Sequence, residues 1–319
     1  MSTSNAQDEQ HHKAVIGNAD NFWLFSSQSG FDLTHPPTAT SPPVQPSVTI
    51  ETTAAPITID PAKSALIIID MQNYFLSPAL GRSKGAGHAA AEQLIEHAIP
   101  AARKHGIRVV WVNWGLTEQE VYELPPAVKR AFGFEATVDS SGKEKFEGID
   151  VSFGVDKHGK KGSRRRKGVG SDIGPVRDPE TGKDIEGGRV LMRDSWNAAL
   201  FSPLDRVYEE GRQMEKLPDV WIHKNRMSGM WGVDTALERF LKQEGIRTLF
   251  FTGVNTDQCV GGTLTDCFSK GYDVILLGDG AATTSPHYAQ ECYEFNAANT
   301  YGFVVTSCER FAAGVRRSL

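Results

Sequence analysis

The sequence predicts an α/β protein, a doubly wound parallel sheet of about six strands with helices on both faces. Three observations lead there. Short, continuous apolar runs recur along the chain, as expected of strands buried on both faces. Stretches with helical spacing separate them. Glycines stand where two of those helices should stop, at Gly106 and Gly245.

The elements follow in order from residue 64 onward. Ala65-Leu66-Ile67-Ile68-Ile69 is the first strand and ends at Asp70. A helix is expected over 88–105, with Leu94, Ile95, Ala98 and Ala102 on one face. Residues 107–112 read as the second strand, and Trp221-Ile222-His223 as a short third. Residues 233–244 repeat apolar side chains at 233, 236, 237, 240 and 241, a helical stripe. Residues 248–252, 274–277 and 303–305 supply the remaining strands. Strands alternating with helices imply parallel pairing through right-handed crossovers.

Two regions depart from this pattern. Residues 1–60 form an N-terminal arm, partly irregular, with a Pro-, Thr- and Ser-rich strip over 35–57. Its aromatic stretch, Phe22-Trp23-Leu24-Phe25 with Phe31, is unlike a disordered tail and should pack on its own domain or on a neighbouring subunit. Residues 137–190 are a basic, Gly-rich insertion whose most basic part runs from Lys160 to Lys167. A solvated lid or an oligomer contact is expected there in preference to a phosphate- or nucleic-acid-binding loop.

Composition limits the partners. A net charge of −5 argues against nucleic acid and anionic membranes, which call for a basic face. No apolar run approaches the roughly 18 residues that cross a bilayer. The polar N-terminus lacks a signal-peptide core, and four cysteines at 259, 267, 292 and 308 do not make a disulfide scaffold. A cytoplasmic protein with reduced thiols is expected.

Three reactive side chains fall at C-terminal ends of strands, the edge where doubly wound sheets build sites. Asp70 ends an apolar strand, so poor solvation should raise its pKa and suit it to accept a proton. Lys224 follows the third strand and requires a counter-charge if buried, for which Asp70 is the candidate. Cys259 lies in Gly253-Val254-Asn255-Thr256-Asp257-Gln258-Cys259, after a strand and near a helix start. There the helix N-terminus should favour the thiolate and offer N–H groups to an oxyanion. Together they are the nucleophile, base and cation of thiol-based acyl transfer, though a capping Asp70 and a surface Lys224 are the plainer readings of each alone. No histidine follows the second strand, where Asn113-Trp114-Gly115-Leu116 stands, so no metal site is expected. No Gly-x-Gly-x-x-Gly follows the first strand, which weakens a dinucleotide cofactor; none is expected.

These residues resemble the isochorismatase-like cysteine hydrolases. The motifs are Ile69-Asp70-Met71-Gln72-Asn73, then His223-Lys224 with Arg226 and Ser228-Gly229, then Val254-Asn255-Thr256-Asp257-Gln258-Cys259-Val260. The likeness spans about residues 60–310 apart from the insertion, making 61–319 the hydrolase domain of a Rossmann-like fold. Asn113-Trp114, Asp194-Ser195-Trp196 and Phe295-Asn296 make it most similar to ureidoacrylate amidohydrolases and related ureide or carbamoyl hydrolases. The resemblance implies Asp70 as base, Lys224 as supporting cation and Cys259 as nucleophile. It also implies a cis peptide between Val254 and Asn255, and an oxyanion hole from the N–H groups of Asn255 and Cys259.

The expected activity is metal-independent hydrolysis of a C–N bond in a small amide, ureido or carbamoyl substrate through a thioester. Asn113, Trp114 and Ser228 are candidates for lining the pocket, with packing an equal alternative for Trp114. Two other readings stand beside it: isochorismatase-type vinyl ether hydrolysis with Asp70 as acid, and a non-catalytic binding protein on the same fold. The resemblance further implies a homo-oligomer, dimer or tetramer.

Overall fold

The computed structural model describes residues 11–138, 151–161 and 167–316. Its centre is a six-stranded sheet of β6 (Ser64–Ile69), β7 (Arg108–Trp114), β12 (Val220–Lys224), β13 (Thr248–Val254), β14 (Asp273–Ala282) and β15 (Phe303–Val305). Their order is β12-β7-β6-β13-β14-β15, and every pairing is parallel. The chain winds outward from β6 to β12 and then restarts at β13 on the other side. The switch point therefore lies between β6 and β13, where a crevice opens at the carboxyl ends of the strands.

The two central strands explain why this order is stable. Every residue of β6 and of β13 is buried, so both faces of each strand are covered. Leu66, Ile68, Trp111 and Phe250 pack on one layer, with the helices Ala86–Gln93, Ile99–Lys104 and Cys308–Arg316. Ile67, Ile69, Val112, Trp114 and Phe251 pack on the other, with Ala236–Gln243 and Gly261–Ser269. The closest approach is at Gly253, which has φ +106°, and where a Cβ would sit 2.0 Å from the Ile69 carbonyl oxygen. Only glycine lets β13 run this close to β6 just beneath the site.

Three local expectations need correction. The helix expected over 88–105 carries a wider, π-type turn at Leu94–Ala98 between its two α-helical parts. Pro100 has no N–H to give back, so the ladder there cannot continue unbroken. The helix expected over 233–244 spans only Ala236–Gln243, because Thr235 caps it and Asp234 has φ +61°. Val233, read as part of its apolar stripe, is outside it and 96% exposed.

Residues 11–60 are more regular than their composition suggests. They form a five-stranded sheet of β1 (Lys13–Gly17), β2 (Phe22–Ser26), β3 (Gly30–Asp32), β4 (Val48–Ile50) and β5 (Ile57–Ile59), in the order β1-β2-β3-β5-β4. This sheet packs on its own chain. Trp23 and Phe31 meet the Phe303 ring at 5.6 and 5.3 Å, while Leu33, Ile50, Ile57 and Ile59 are wholly buried in the first layer. Asp273 at the start of β14 fixes the contact. Its buried carboxylate accepts from Trp23 Nε1, Thr248 Oγ1 and His35 Nε2, each at 2.7 Å.

Two strand pairs occupy this region: β8 (Phe134–Val138), which starts just before the insertion, with β9 (Val151–Val155), and within it β10 (Pro175–Arg177) with β11 (Asp184–Glu186). Of the basic run, residues 162–166 lie outside the described residues. The flanking cations turn back onto the first strand pair: Lys167 Nζ reaches Glu135 Oε1 at 2.7 Å, and Lys161 sits 4.6 Å over the Phe153 ring.

Replacing Asp273 with Ala strands the Trp23 and Thr248 donors in the interior. It should cost about 2–4 kcal/mol, measured as a lowered urea midpoint, with Trp23 fluorescence reporting release of the arm.

Candidate functional site

Asp70 and Cys259 come from the two strands that flank the switch point, and Lys224 from the sheet's edge strand. Asp70 follows β6 directly, with φ +53°, a conformation that aspartate tolerates better than most residues. Its N–H donates to the Val112 carbonyl at 3.1 Å, and its Oδ1 accepts the Trp114 N–H at 3.1 Å. The carboxylate is thereby held against the end of β7. Lys224 ends β12, and its ammonium lies 2.9 Å from Asp70 Oδ2. The same ammonium donates to the carbonyls of Arg226 and Met227 at 3.0 and 3.1 Å, and stands 4.0 Å over the Trp114 ring. All its directions are occupied by oxygen or π-electron density, which is what a buried ammonium requires.

After β13 the Val254–Asn255 peptide is cis, as the resemblance implied. The chain then enters a helical turn at Thr256–Val260 that leads into the helix Gly261–Ser269. Cys259 sits in that first turn rather than at its opening residue. Its carbonyl accepts from Thr263 Oγ1 at 2.7 Å, and the same Thr263 oxygen receives the Gly229 N–H at 3.1 Å. One hydroxyl thus ties the loop after Lys224 to the helix that follows Cys259.

The electrostatics revise the expected thiolate. Asp70, Lys224 and Cys259 are 0, 4 and 6% exposed. Burial pushes the Cys259 thiol up to about 12, against the opposing pull of the Lys224 charge. Burial also raises Asp70 above the ordinary carboxylate range, and Lys224 and a hydrogen bond from Cys259 counter that only in part. Burial thus opposes the thiolate, and the thiol form of Cys259 is favoured near neutral pH. The arrangement can move the thiol proton from Cys259 to Asp70 when sulfur attacks, without ever holding a free thiolate.

The other candidates are placed differently. Trp114 is wholly buried over the Lys224 ammonium and meets Phe132 edge-on at 5.2 Å. Ser228 is buried beside the helix that follows Cys259, its Oγ accepting the Met230 N–H at 2.9 Å. Asn255 is partly exposed and donates through Nδ2 to Thr283 Oγ1 at 3.1 Å. Asn113 is not brought to the triad. Alternation along β7 turns Val112 and Trp114 toward Cys259 and leaves Asn113 with Trp111 in the opposite layer. Its amide is fully buried, with neither polar atom bonded within the described residues.

Gln72 was missed as a site residue, although it lies two positions beyond Asp70 within the quoted motif. Its Nε2 donates to the carbonyls of Trp114 and Ala198 at 2.7 and 2.6 Å, and its Oε1 shares the Trp114 N–H with Asp70. It clamps the Trp114 peptide from both sides and so sets the indole over Lys224. Cavities of about 490 and 310 Å³ reach the site's rim, at Lys224 and at Trp114 respectively. Among the described residues, no group of three or more His, Cys, Asp or Glu side chains is arranged to hold a metal ion. No helix is long and apolar enough to cross a membrane, again among the described residues.

A family model for the isochorismatase domain matches residues 64–150 and 188–309. The chain belongs to the isochorismatase family of hydrolases, and the gap between the two matched stretches, 151–187, falls within the insertion. Among solved structures it is similar to a cysteine hydrolase from Pseudomonas syringae pv. phaseolicola 1448A, at 16% identity and a TM-score of 0.51, covering 88% of this chain and 100% of that one. It is also similar to a pyrazinamidase/nicotinamidase from Streptococcus mutans UA159, at 16% identity and a TM-score of 0.50, covering 76% of this chain and 99% of that one. At these identities the likeness is one of fold.

Replacing Lys224 with Ala leaves a buried carboxylate without its cation. It should destabilise the protein by about 3–5 kcal/mol, read from chemical denaturation. The Asp70→Asn, Lys224→Ala double variant should recover part of that loss, since no unpaired charge is then buried.

Proposed function

We propose that this chain hydrolyses a C–N bond of a small amide, ureido or carbamoyl compound through a Cys259 thioester. One observation carries the reading: a single buried carboxylate, Asp70, holds an ammonium at 2.9 Å in the same enclosed cluster as the buried Cys259 thiol. A base poised on a thiol beside a fixed cation is the equipment of acyl transfer.

The steps use this chain's own groups. Asp70 takes the thiol proton as Cys259 Sγ bonds to the substrate carbonyl carbon. The oxyanion that forms is met by the N–H groups of Asn255 and Cys259. Asp70 returns the proton to the nitrogen, the C–N bond breaks, and ammonia or an amine departs. Water then attacks the thioester, with Asp70 accepting its proton and passing it to the leaving sulfur. Lys224 keeps Asp70 ionised enough to act as a base in a site whose burial opposes that charge. Trp114 and Ser228 line the substrate side; Asn113 supports them from the opposite layer.

A second reading is favoured by one feature. A carboxyl raised by burial is also a competent acid, so Asp70 could protonate a vinyl ether with no role for sulfur. The two readings differ in sign with pH. If Asp70 is the base, activity requires its ionised form, and kcat/KM falls as pH drops through an acid limb lying above the ordinary carboxylate range. If Asp70 is the acid, activity rises over that same limb.

The test is ammonia release from ureido acids, carbamoyl amino acids and primary amides, with isochorismate turnover followed separately. Cys259→Ala should lower ammonia release by roughly 10³-fold or more while circular dichroism stays native. Isochorismate turnover that survives in Cys259→Ala would instead establish the ether hydrolase.

A further inference from the structure

We propose that β1 is a self-pairing edge, through which two copies of this chain join their N-terminal sheets into one continuous antiparallel sheet. β1 pairs with β2 on one side only, and among the described residues no strand pairs with its other edge. All five of its residues are exposed, including Val15 at 59% and Ile16 at 45%. The sheet's opposite edge is not available in this way: Gly314 of the C-terminal helix packs so tightly on β4 that a Cβ there would lie 3.1 Å from Ile50 Cα.

The backbone shows which groups are free to pair. His12 bonds Ser27 and Asn18 bonds Asn21 on the two sides of the β1–β2 register. In an antiparallel pair, bonded and non-bonded positions alternate. Residues 12, 14, 16 and 18 therefore spend their N–H and C=O groups on β2. Those of Lys13, Val15 and Gly17 point away from it. This set is self-complementary. A two-fold axis through Val15 sets Val15 opposite Val15 and Lys13 opposite Gly17 of the second copy, with every outward group answered.

Charge selects the same arrangement. Lys13 opens the strand and Asp20 lies in the turn past its end, so antiparallel pairing sets Lys13 against uncharged Gly17, toward the Asp20 end, where parallel pairing would align Lys13 with Lys13. A sheet edge left unpaired among the described residues is one that proteins ordinarily blunt or use. The closed two-fold register uses this one without leaving a further edge for polymerisation.

Light scattering and cysteine cross-linking test the proposal on the full chain. Val15→Pro removes an outward N–H and no bond to β2, so it should halve the particle mass and leave activity and circular dichroism unchanged. In a Cys292→Ser background, Val15→Cys should cross-link to a covalent dimer under mild oxidation, because facing Cα atoms stand about 5.5 Å apart. Lys13→Cys, which faces Gly17, should not. A monomeric wild type, a mass unchanged by Val15→Pro, or cross-linking at 13 in place of 15 would each overturn it. Because no step involves Cys259, these results stand apart from the outcome of the activity assay.

Discussion

The Asp70–Lys224 ion pair is the constraint around which the rest of this protein is built. Two opposite charges 2.9 Å apart in an apolar interior are costly to bring out of water, and they persist only if every remaining lone pair and proton is satisfied. The structure meets that demand from several directions. β7 supplies the Trp114 N–H, the loop after β12 supplies two carbonyls, the Trp114 ring covers the ammonium, and Gln72 holds that ring's backbone in place. The parallel sheet serves the same end, because its switch point is where strand ends from β6 and β13 can converge with the end of β12.

This constraint also governs the chemistry. Removing water around the pair raises both the carboxyl and the thiol, so the resting site holds its proton on sulfur instead of storing a thiolate. Burial acts against whatever the helix start contributes toward the thiolate. A thiol kept protonated until a carbonyl arrives is protected from alkylation and oxidation, which require thiolate. In the mechanism we propose, attack and proton transfer are then coupled through Asp70, which lies beside both the ammonium and the thiol.

The sequence made the central layer legible because β6 and β13 are largely apolar runs, and it made Asp70, Lys224 and Cys259 stand out because Asp70 follows β6 directly, Lys224 ends β12 and Cys259 lies in the first turn after β13. The N-terminal sheet was hidden. Three of its strands are three residues long, and its stability comes from distant partners such as Asp273, which no local pattern reveals. Gln72 was hidden for a related reason: its bonds go to the backbone of a strand 42 residues away. Asn113 was misplaced through a one-residue effect, since neighbours along a strand face opposite layers. Pro100 was in plain view as the cause of the wider helical turn, but apolar spacing alone passes over it.

The most direct measurement is the ionisation of Cys259 itself. Thiolate absorbance at 240 nm would be followed from pH 5 to 11 in Cys292→Ser protein, with Cys259→Ser in the same background subtracted. The account predicts no Cys259 thiolate at neutral pH and only the foot of a titration near pH 11, in line with a thiol pushed up to about 12. A full thiolate signal already present at pH 7 would contradict it, and would mean that the helix terminus and Lys224 overcome burial after all.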